Sequence, residues 1–539
     1  MCLVYQAGVL EFVEYSFTYH SSMSTFNHAE RPHDGYMAVV DGPAINLTPL
    51  GKFVMPPPMF EKQVTGLPSV PSCVSLYGHQ GVTFCEVGSQ LCSFDCGAEK
   101  GTPPVYLTFE HGKDQRVASL LNFGSKAGEQ MVLVQLSGAL VDTLVLVRLE
   151  LGAEPSLTRV AELELEGKIQ RVALGAELHH SGHADPANES QNSFYLASGS
   201  GFGGSSAMPL SMMDRMNFGE FGSEPGTPAE KRQASFIVQT TDKAVCKLTV
   251  DLDQEKPFFE DEHLFQMQHL CNKLQSALVS GKEVVIGLTQ NLRLFVNGHL
   301  FSNECTCFLL SQNFILFINS TSGLSHEMFI YDLNRVLPKP VQGGDAQQPP
   351  QLAQLEEAGN YHVRAVERGS RLVVVHGCKT ILQMPRGNLE GTQPRILLLK
   401  EVISLIQETS YGKAFRLLRQ HKLDINLIYD VDPALFLENI SKFVREVKKV
   451  DYLNLFVNSL VNADRGKELE FMKPQLEEDL IAKSHEAFIA DFKEEKQSSG
   501  PVTAKVNQIC DALRQELEAV NTDNVYLLPI LTTYIKKQP

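Results

Sequence analysis

The stretch Leu382-Gln383-Met384-Pro385-Arg386-Gly387-Asn388-Leu389-Glu390-Gly391 divides this chain of 539 residues into two kinds of sequence. Before it, apolar residues alternate in short runs broken by Gly, Asn and Ser, the period of two that a strand imposes. After it they recur at i, i+3 and i+4, the period of a helix. Pro385 and Gly387 punctuate the change. A sheet-built unit therefore ends near 390 and a stack of helices begins.

On the N-terminal side, Val132 to Leu136 and Leu144 to Leu149 read as one pair of strands. Val284–Leu288, Leu292–Val296, Cys305–Leu309 and Phe314–Ile318 follow one another with turns between, the content of one propeller blade of roughly 40–50 residues. Residues 261–280 are open to two readings, because Leu264, Gln268 and Cys271 also fit one side of a helix. Met37 to Val40 leads into Asp41-Gly42, a favoured tight-turn pair. Pro56-Pro57-Pro58 forbids helix and central strand alike and reads as a stiff linker. Residues 179–235, rich in Ser, Gly and His, have no apolar cluster to offset the cost of ordering and read as a disordered insert, with a second flexible stretch at 338–358.

On the C-terminal side, Ile396 to Ile406 is apolar and helix-compatible, and Tyr411, Phe415 and Leu418 share one face of the next helix. Asp432-Pro433 is a cap followed by Pro at the first helical position. Leu437, Ile440, Val444 and Val447 form a stripe on a helix spanning 433–449, and Asp451 reads as the cap of the one after. Acidic 464–500 reads as a loop or mobile helix pair, and Val506, Ile509, Leu513, Leu517 and Val520 give another stripe. Short helices with more than one apolar face describe an α-solenoid of TPR-like helices. The fold class is thus mainly β followed by α: an irregular WD-type β-propeller, then an α-solenoid. The absence of Trp argues against a regular WD repeat.

Composition bounds the function. Hydrophobic residues make up 43% and charged residues 20%, as in a folded soluble protein. A formal net charge of -16 repels phosphate backbones and argues against broad non-specific nucleic-acid binding, leaving room only for a local basic patch. There is no run of 18 apolar residues, so no transmembrane helix and no membrane partner are expected. Met1 to Leu10 lacks a basic region, and Glu11 and Glu14 interrupt the apolar stretch after it, so the eleven Cys are expected reduced, in the cytoplasm or also the nucleus.

Candidate chemistry is sparse. His179, His180 and His183 are read as solvated loop histidines rather than a metal site. Cys85, Cys92 and Cys96 match no paired CxxC site, and Cys305 and Cys307, two apart on a strand, are read as sharing one core face. Gly199 to Gly204 has no strand before it or helix after it and reads as linker. Thr227-Pro228 and Lys231-Arg232-Gln233-Ala234-Ser235 resemble kinase target sites, though such short motifs arise often by chance. Across 401–460 eight Lys/Arg meet eight Asp/Glu, so solvated helix faces are favoured over an RNA groove. No catalytic, cofactor-binding or metal-ligating residue is assigned, no cofactor is expected, and the partner-binding residues stay unassigned.

Val366-Glu367-Arg368-Gly369-Ser370-Arg371, Leu382 to Glu390, Tyr411-Gly412-Lys413-Ala414-Phe415, Leu423 to Asp430, Phe436-Leu437, Asn439, Phe443-Val444, Asn454-Leu455-Phe456 and Ile509 to Arg514 together resemble the scaffold subunit of the Elongator complex, the IKAP family. Upstream, Ala38 to Gly42 and Val54 to Met59 resemble the join between that family's two propellers, and Gly287-Leu288-Thr289 a late blade of the second. The resemblance implies three units: 1–55 as the end of a first propeller, 56–390 as the second propeller and 391–539 as the start of the solenoid. It implies a non-catalytic scaffold supporting wobble-uridine modification of tRNA. Its partners would be a catalytic subunit with radical-SAM and acetyltransferase domains and a WD-repeat subunit, with tRNA met indirectly through the complex. The family's homodimerisation and basic tRNA-binding segments fall outside the matching stretches, so a monomer is expected. A propeller–solenoid scaffold of a vesicle coat or trafficking complex is the runner-up, which would not be expected to carry 366–390 and 411–430. An enzyme is the third reading and would need a pocket with convergent polar groups.

Overall fold

A computed structural model describes residues 2–6, 9–13, 21–23, 35–175, 233–333, 362–462 and 505–537, with short gaps at 57–58, 127–128, 166, 280–281, 312–313, 321–322, 324 and 522–523. The readings of 179–232, 338–358 and 464–500 lie outside the described residues.

The strands Glu129–Ser137 and Asp142–Glu150 show why the first unit closes on itself. Val132, Val134, Leu136, Val145, Val147 and Leu149 pack into the core on one side of their sheet. Met131, Leu133, Leu144 and Leu146 pack into the core on the other. Successive side chains point to opposite faces, so a strand that carries apolar residues on both must be covered on both. Repeating that demand in every sheet yields a ring.

Seven antiparallel sheets make it. Blade 1 runs Ser21–Met23, Tyr36–Asp41, Ala44–Pro49 and Lys62–Val64; blade 2 runs Pro71–Tyr77, Gln80–Cys85, Gln90–Asp95 and Val105–Thr108. Blades 3 and 4 start at Arg116–Lys126 and Ile169–Leu174 and end at Ser156–Leu165 and Phe259–Gln266. Blades 5 and 6 start at Cys271–Val279 and Cys305–Ser311 and end at His299–Ser302 and His362–Glu367; blade 7 has three strands, Arg371–His376, Lys379–Gln383 and Leu389–Thr392. Each neighbouring pair shares an apolar core. Met37 and Leu50 of blade 1 meet Val374 and Ile381 of blade 7, which closes the circle.

Several sequence readings are corrected here. Residues 36–49 are not part of a separate propeller: their sheet sits between blades 7 and 2 of the same ring. Pro56 lies in the connection between the third and fourth strands of blade 1, so it marks a loop within a blade and not a domain boundary. The four strands read as one blade between 284 and 318 belong to two, because the short strand His299–Ser302 ends blade 5 before Cys305 begins blade 6. Within the stretch open to two readings, residues 261–266 and 271–279 are strands of blades 4 and 5, not helix. Residues 233–235, assigned to the disordered insert, open the second strand of blade 4.

Polar groups bridge blade boundaries. The Cys271 amide donates to Gln239 Oε1 at 2.8 Å, joining blade 5 to blade 4. Lys273 on the inner strand of blade 5 reaches blade 6, where its ammonium donates to the Phe308 carbonyl at 2.7 Å and lies 5.1 Å from the Phe308 ring centre. Burial pushes the Lys273 ammonium down to about 8.

The helices come directly after the ring. They are α1 (Arg395–Gln407), α2 (Tyr411–Gln420), α3 (Leu427–Asp430), α4 (Pro433–Glu438), α5 (Ile440–Val447), α6 (Val450–Ser459), α7 (Lys505–Val520) and α8 (Leu527–Lys536). Asp432 caps α4 as expected, accepting from the Leu435 amide at 2.9 Å with Pro433 at the first helical position. The helix read across 433–449 is two helices. Asn439 breaks it, its side-chain amide donating to the Leu435 carbonyl at 2.9 Å and competing with the backbone ladder. The break turns Leu437 half out, while Phe436 and Phe443 are fully buried with ring centres 5.3 Å apart. Asp451 lies in the first turn of α6 and Lys449 holds the cap position. Gly412 lets α2 and α5 approach closely: a Cβ there would stand 3.1 Å from Glu446 Cβ and 3.2 Å from its carbonyl oxygen.

Two outcomes are expected. Phe443→Ala should cost about 3–5 kcal/mol in denaturant unfolding, Leu437→Ala about 1–2 because it is only partly buried, and Lys448→Asp little, since that side chain is exposed. Equal losses for Leu437 and Phe443 would contradict the break at Asn439. For Lys273 the folded proton affinity lies below the ordinary value of 10.5. Between about pH 8 and that value the unfolded chain holds a proton that the folded chain has released, so stability should rise with pH. Lys273→Met should abolish that part of the rise in melting temperature.

Candidate functional site

The helix α1 presents four consecutive buried apolar residues, Ile396, Leu397, Leu398 and Leu399. One helical face cannot take four neighbours in a row, so two different surfaces must receive them. Ile396 and Leu397 enter the core shared by blades 6 and 7, beside Leu316, Leu372, Leu382 and Met384. Leu398, Leu399, Val402, Ile403 and Ile406 enter the core of the helical stack. Cys378 touches both cores. Lys400 reaches back to blade 6 and sits 4.6 Å from the Phe314 ring centre, its ammonium pushed down by burial while Asp332 pulls the other way. The propeller and the solenoid are therefore joined through a continuous apolar seam. The run Ile396–Leu399 carried this signal in the sequence.

The candidate chemical groups go elsewhere. Cys85, Cys92 and Cys96 are fully buried in the core between blades 1 and 2. Hydrogen bonding with Cys92 pulls the Cys85 thiol down against its burial, and the same contact with burial pushes Cys92 up. Neither sulfur reaches solvent. Cys305 and Cys307 do not share a face as read from their spacing. A register shift between them places Cys305 in the core between blades 5 and 6, and Cys307 against the core between blades 6 and 7. Ser235, the acceptor of the basic kinase-like motif, is 2% exposed within a strand, so the folded ring withholds it. His179, His180, His183, Gly199–Gly204 and Thr227 lie outside the described residues.

Among the described residues, no group of three or more His, Cys, Asp or Glu is placed to hold a metal ion. A hollow lined by Leu47, Lys62, Phe94, Asp95, Lys100 and Thr102 has room for about 30 Å³. Small-molecule sites need roughly 300–1,000 Å³. Lys62 closes its floor by donating to the Cys96 and Ala98 carbonyls at 3.2 and 2.8 Å. No helix among the described residues is long and apolar enough to cross a membrane. What the architecture offers is surface. On α8, Leu527, Leu528, Leu531, Tyr534 and Ile535 are exposed, Ile535 at 84%. Such a stripe marks an interaction face.

Comparison with known proteins agrees with this architecture. Residues 395–539 match the model of the ELP1 alpha-solenoid, and residues 226–373 match that of the ELP1 N-terminal second beta-propeller. Elongator complex protein 1 of Mus musculus is 32% identical over 271 residues, 50% of this chain and 18% of the relative. The Saccharomyces cerevisiae protein is 32% identical over 323 residues, 56% of this chain and 22% of the relative. The Arabidopsis thaliana protein is 27% identical over 270 residues, 48% of this chain and 19% of the relative. The chain thus spans about a fifth of the length of these curated relatives. Among solved structures, the WD40 domain of SCAP from fission yeast aligns with a TM-score of 0.36 at 9% identity, over 68% of this chain and 77% of that one. The Vanderwaltozyma polyspora Nup133 beta-propeller aligns at 0.36 and 7%, over 68% and 92%. The two family models match the chain in the same order as its propeller and its helices, and the chain belongs to the Elongator complex protein 1 family.

Proposed function

We propose that this chain is a non-catalytic scaffold of the Elongator complex. In this reading it holds the catalytic radical-SAM and acetyltransferase subunit and a WD-repeat subunit while wobble uridines of tRNA are modified. The observation that carries the reading is the seam at Ile396 and Leu397, where one helix belongs to two cores. A shared core fixes the angle between a propeller rim and a solenoid groove. Two surfaces held at a fixed angle are what a part needs to position two other proteins. The apolar stripe on α8 supports the same reading. The ten cysteines with described side chains are all free, which suits a working place in the cytoplasm or nucleus.

Affinity purification of the tagged chain from its own cells tests this. Elongator subunits should co-purify, and Leu397→Asp, which puts an unpaired carboxylate into the seam, should reduce their recovery at least fivefold. Co-purification of vesicle-coat subunits instead would overturn the reading. The purified chain should neither cleave S-adenosylmethionine nor consume acetyl-CoA; turnover that survives removal of contaminants would also overturn it.

A further inference from the structure

Six of the seven blades end in a fourth, outer strand; among the described residues blade 7 ends at its third, Leu389–Thr392. The turn before that strand shows which of its groups are left bare. The Met384 amide donates to the Asn388 carbonyl at 2.8 Å and the Gly387 amide to the Met384 carbonyl at 2.9 Å, with Gly387 at a φ of 86°. Glu390 then stands opposite Leu382, and Thr392 opposite Thr380. Bonding alternates along an antiparallel pair, so Asn388, Glu390 and Thr392 turn their amides and carbonyls inward, and Leu389 and Gly391 turn theirs outward. Among the described residues no backbone group bonds to those outward amides and carbonyls. Such an edge is a template for another strand.

The spacing of the ring says which strand. From an outer strand to the inner strand of the next blade the chain takes two to seven residues, with Ser302 to Cys305 at the short end and Thr108 to Arg116 at the long end. Seven residues separate Val9–Val13 from Ser21, where the inner strand of blade 1 begins. Val9–Val13 therefore stands before blade 1 as each outer strand stands before the blade that follows it. Cys2–Gln6, fourteen residues from Ser21, falls outside that range. Among the described residues Val9–Val13 pairs only with Cys2–Gln6, in a sheet of two strands. A lone hairpin is marginal in water, and four of the five residues in Val9–Val13 are apolar: Val9, Leu10, Phe12 and Val13. They occupy both alternating sets of positions, the pattern that requires cover on two faces. Cys2–Gln6 takes one edge of this strand; the other is open.

We propose that the outer edge of Leu389–Thr392 is a strand-binding site and that its occupant is Val9–Val13 of the same chain, running antiparallel. Cys2–Gln6 stays paired beyond it as a fifth strand. The ring is then closed by backbone hydrogen bonds as well as by the apolar contact of Met37 and Leu50 with Val374 and Ile381. The same pairing shuts the edge to strands of other molecules.

Cysteine crosslinking in the full chain tests this, with Cys2→Ser to remove the thiol on the neighbouring strand of the hairpin. Glu390→Cys is combined in turn with Leu10→Cys, Glu11→Cys, Phe12→Cys and Val13→Cys. Glu390 turns its own bonds inward, so the residue opposite it forms the closer kind of pair, with Cα atoms about 4.5 Å apart and within disulfide reach. Mild oxidation should link one of the four combinations about tenfold faster than its sequence neighbours, which point to the other face. The link should lie within one chain, as read by non-reducing gel and peptide mass. Hydrogen exchange gives a second readout. Removing residues 1–13 should speed exchange of the Leu389 and Gly391 amides about tenfold or more and leave the inward Glu390 amide little changed. Links that join two chains would assign the edge to a second copy and overturn the proposal. Equal rates for all four combinations, no link at all, or exchange at Leu389 and Gly391 that ignores the deletion would overturn it as well.

Discussion

The constraint on which the structure depends is that its strands are apolar on both faces. A sheet built from such strands cannot end against water, so each of the seven needs a neighbour on either side. A row of sheets would leave two bare faces; a ring leaves none. The closing contact joins Met37 and Leu50 to Val374 and Ile381, across more than three hundred residues of chain. Lys379 secures it, its ammonium donating to the Leu50 and Gly51 carbonyls at 3.2 and 3.4 Å. Contacts so remote in sequence bring their loop-closure cost late in folding, so blade 1 depends on all the blades between.

The same logic extends past the ring. Among the described residues blade 7 has three strands, and part of the core it shares with blade 6 is completed by Ile396 and Leu397 of α1. The solenoid is therefore not a tethered neighbour. Its first helix is part of the propeller's packing, and its second face nucleates the helical core with Leu399, Val402 and Ile406. Rigidity between the units comes from burial rather than from a short linker. That is the physical basis for reading the molecule as a frame.

Much of this was legible. The change of period at 382–391 separated sheets from helices, Asp432-Pro433 marked a helix start, and the resemblance at 366–390 and 411–430 pointed to the right family. What was not legible depended on contacts remote in sequence. Blade 1 was detached because three prolines look like a linker wherever they occur, and only the contact of Leu50 with Ile381 assigns its residues to the ring. The opposed faces of Cys305 and Cys307 come from a bulge, which no spacing rule can foresee. The exposure of Leu437 comes from the side chain of Asn439 bonding its own backbone.

A double-mutant cycle across the ring closure tests the account most directly. Leu50→Ala and Ile381→Ala each remove a fully buried side chain, and each alone should cost about 2–5 kcal/mol in equilibrium unfolding. If blade 1 closes on blade 7, the two losses should be non-additive, with a coupling of about 0.5–3 kcal/mol. Strict additivity would mean that these residues do not meet, and the single closed ring would have to be replaced by two independent units.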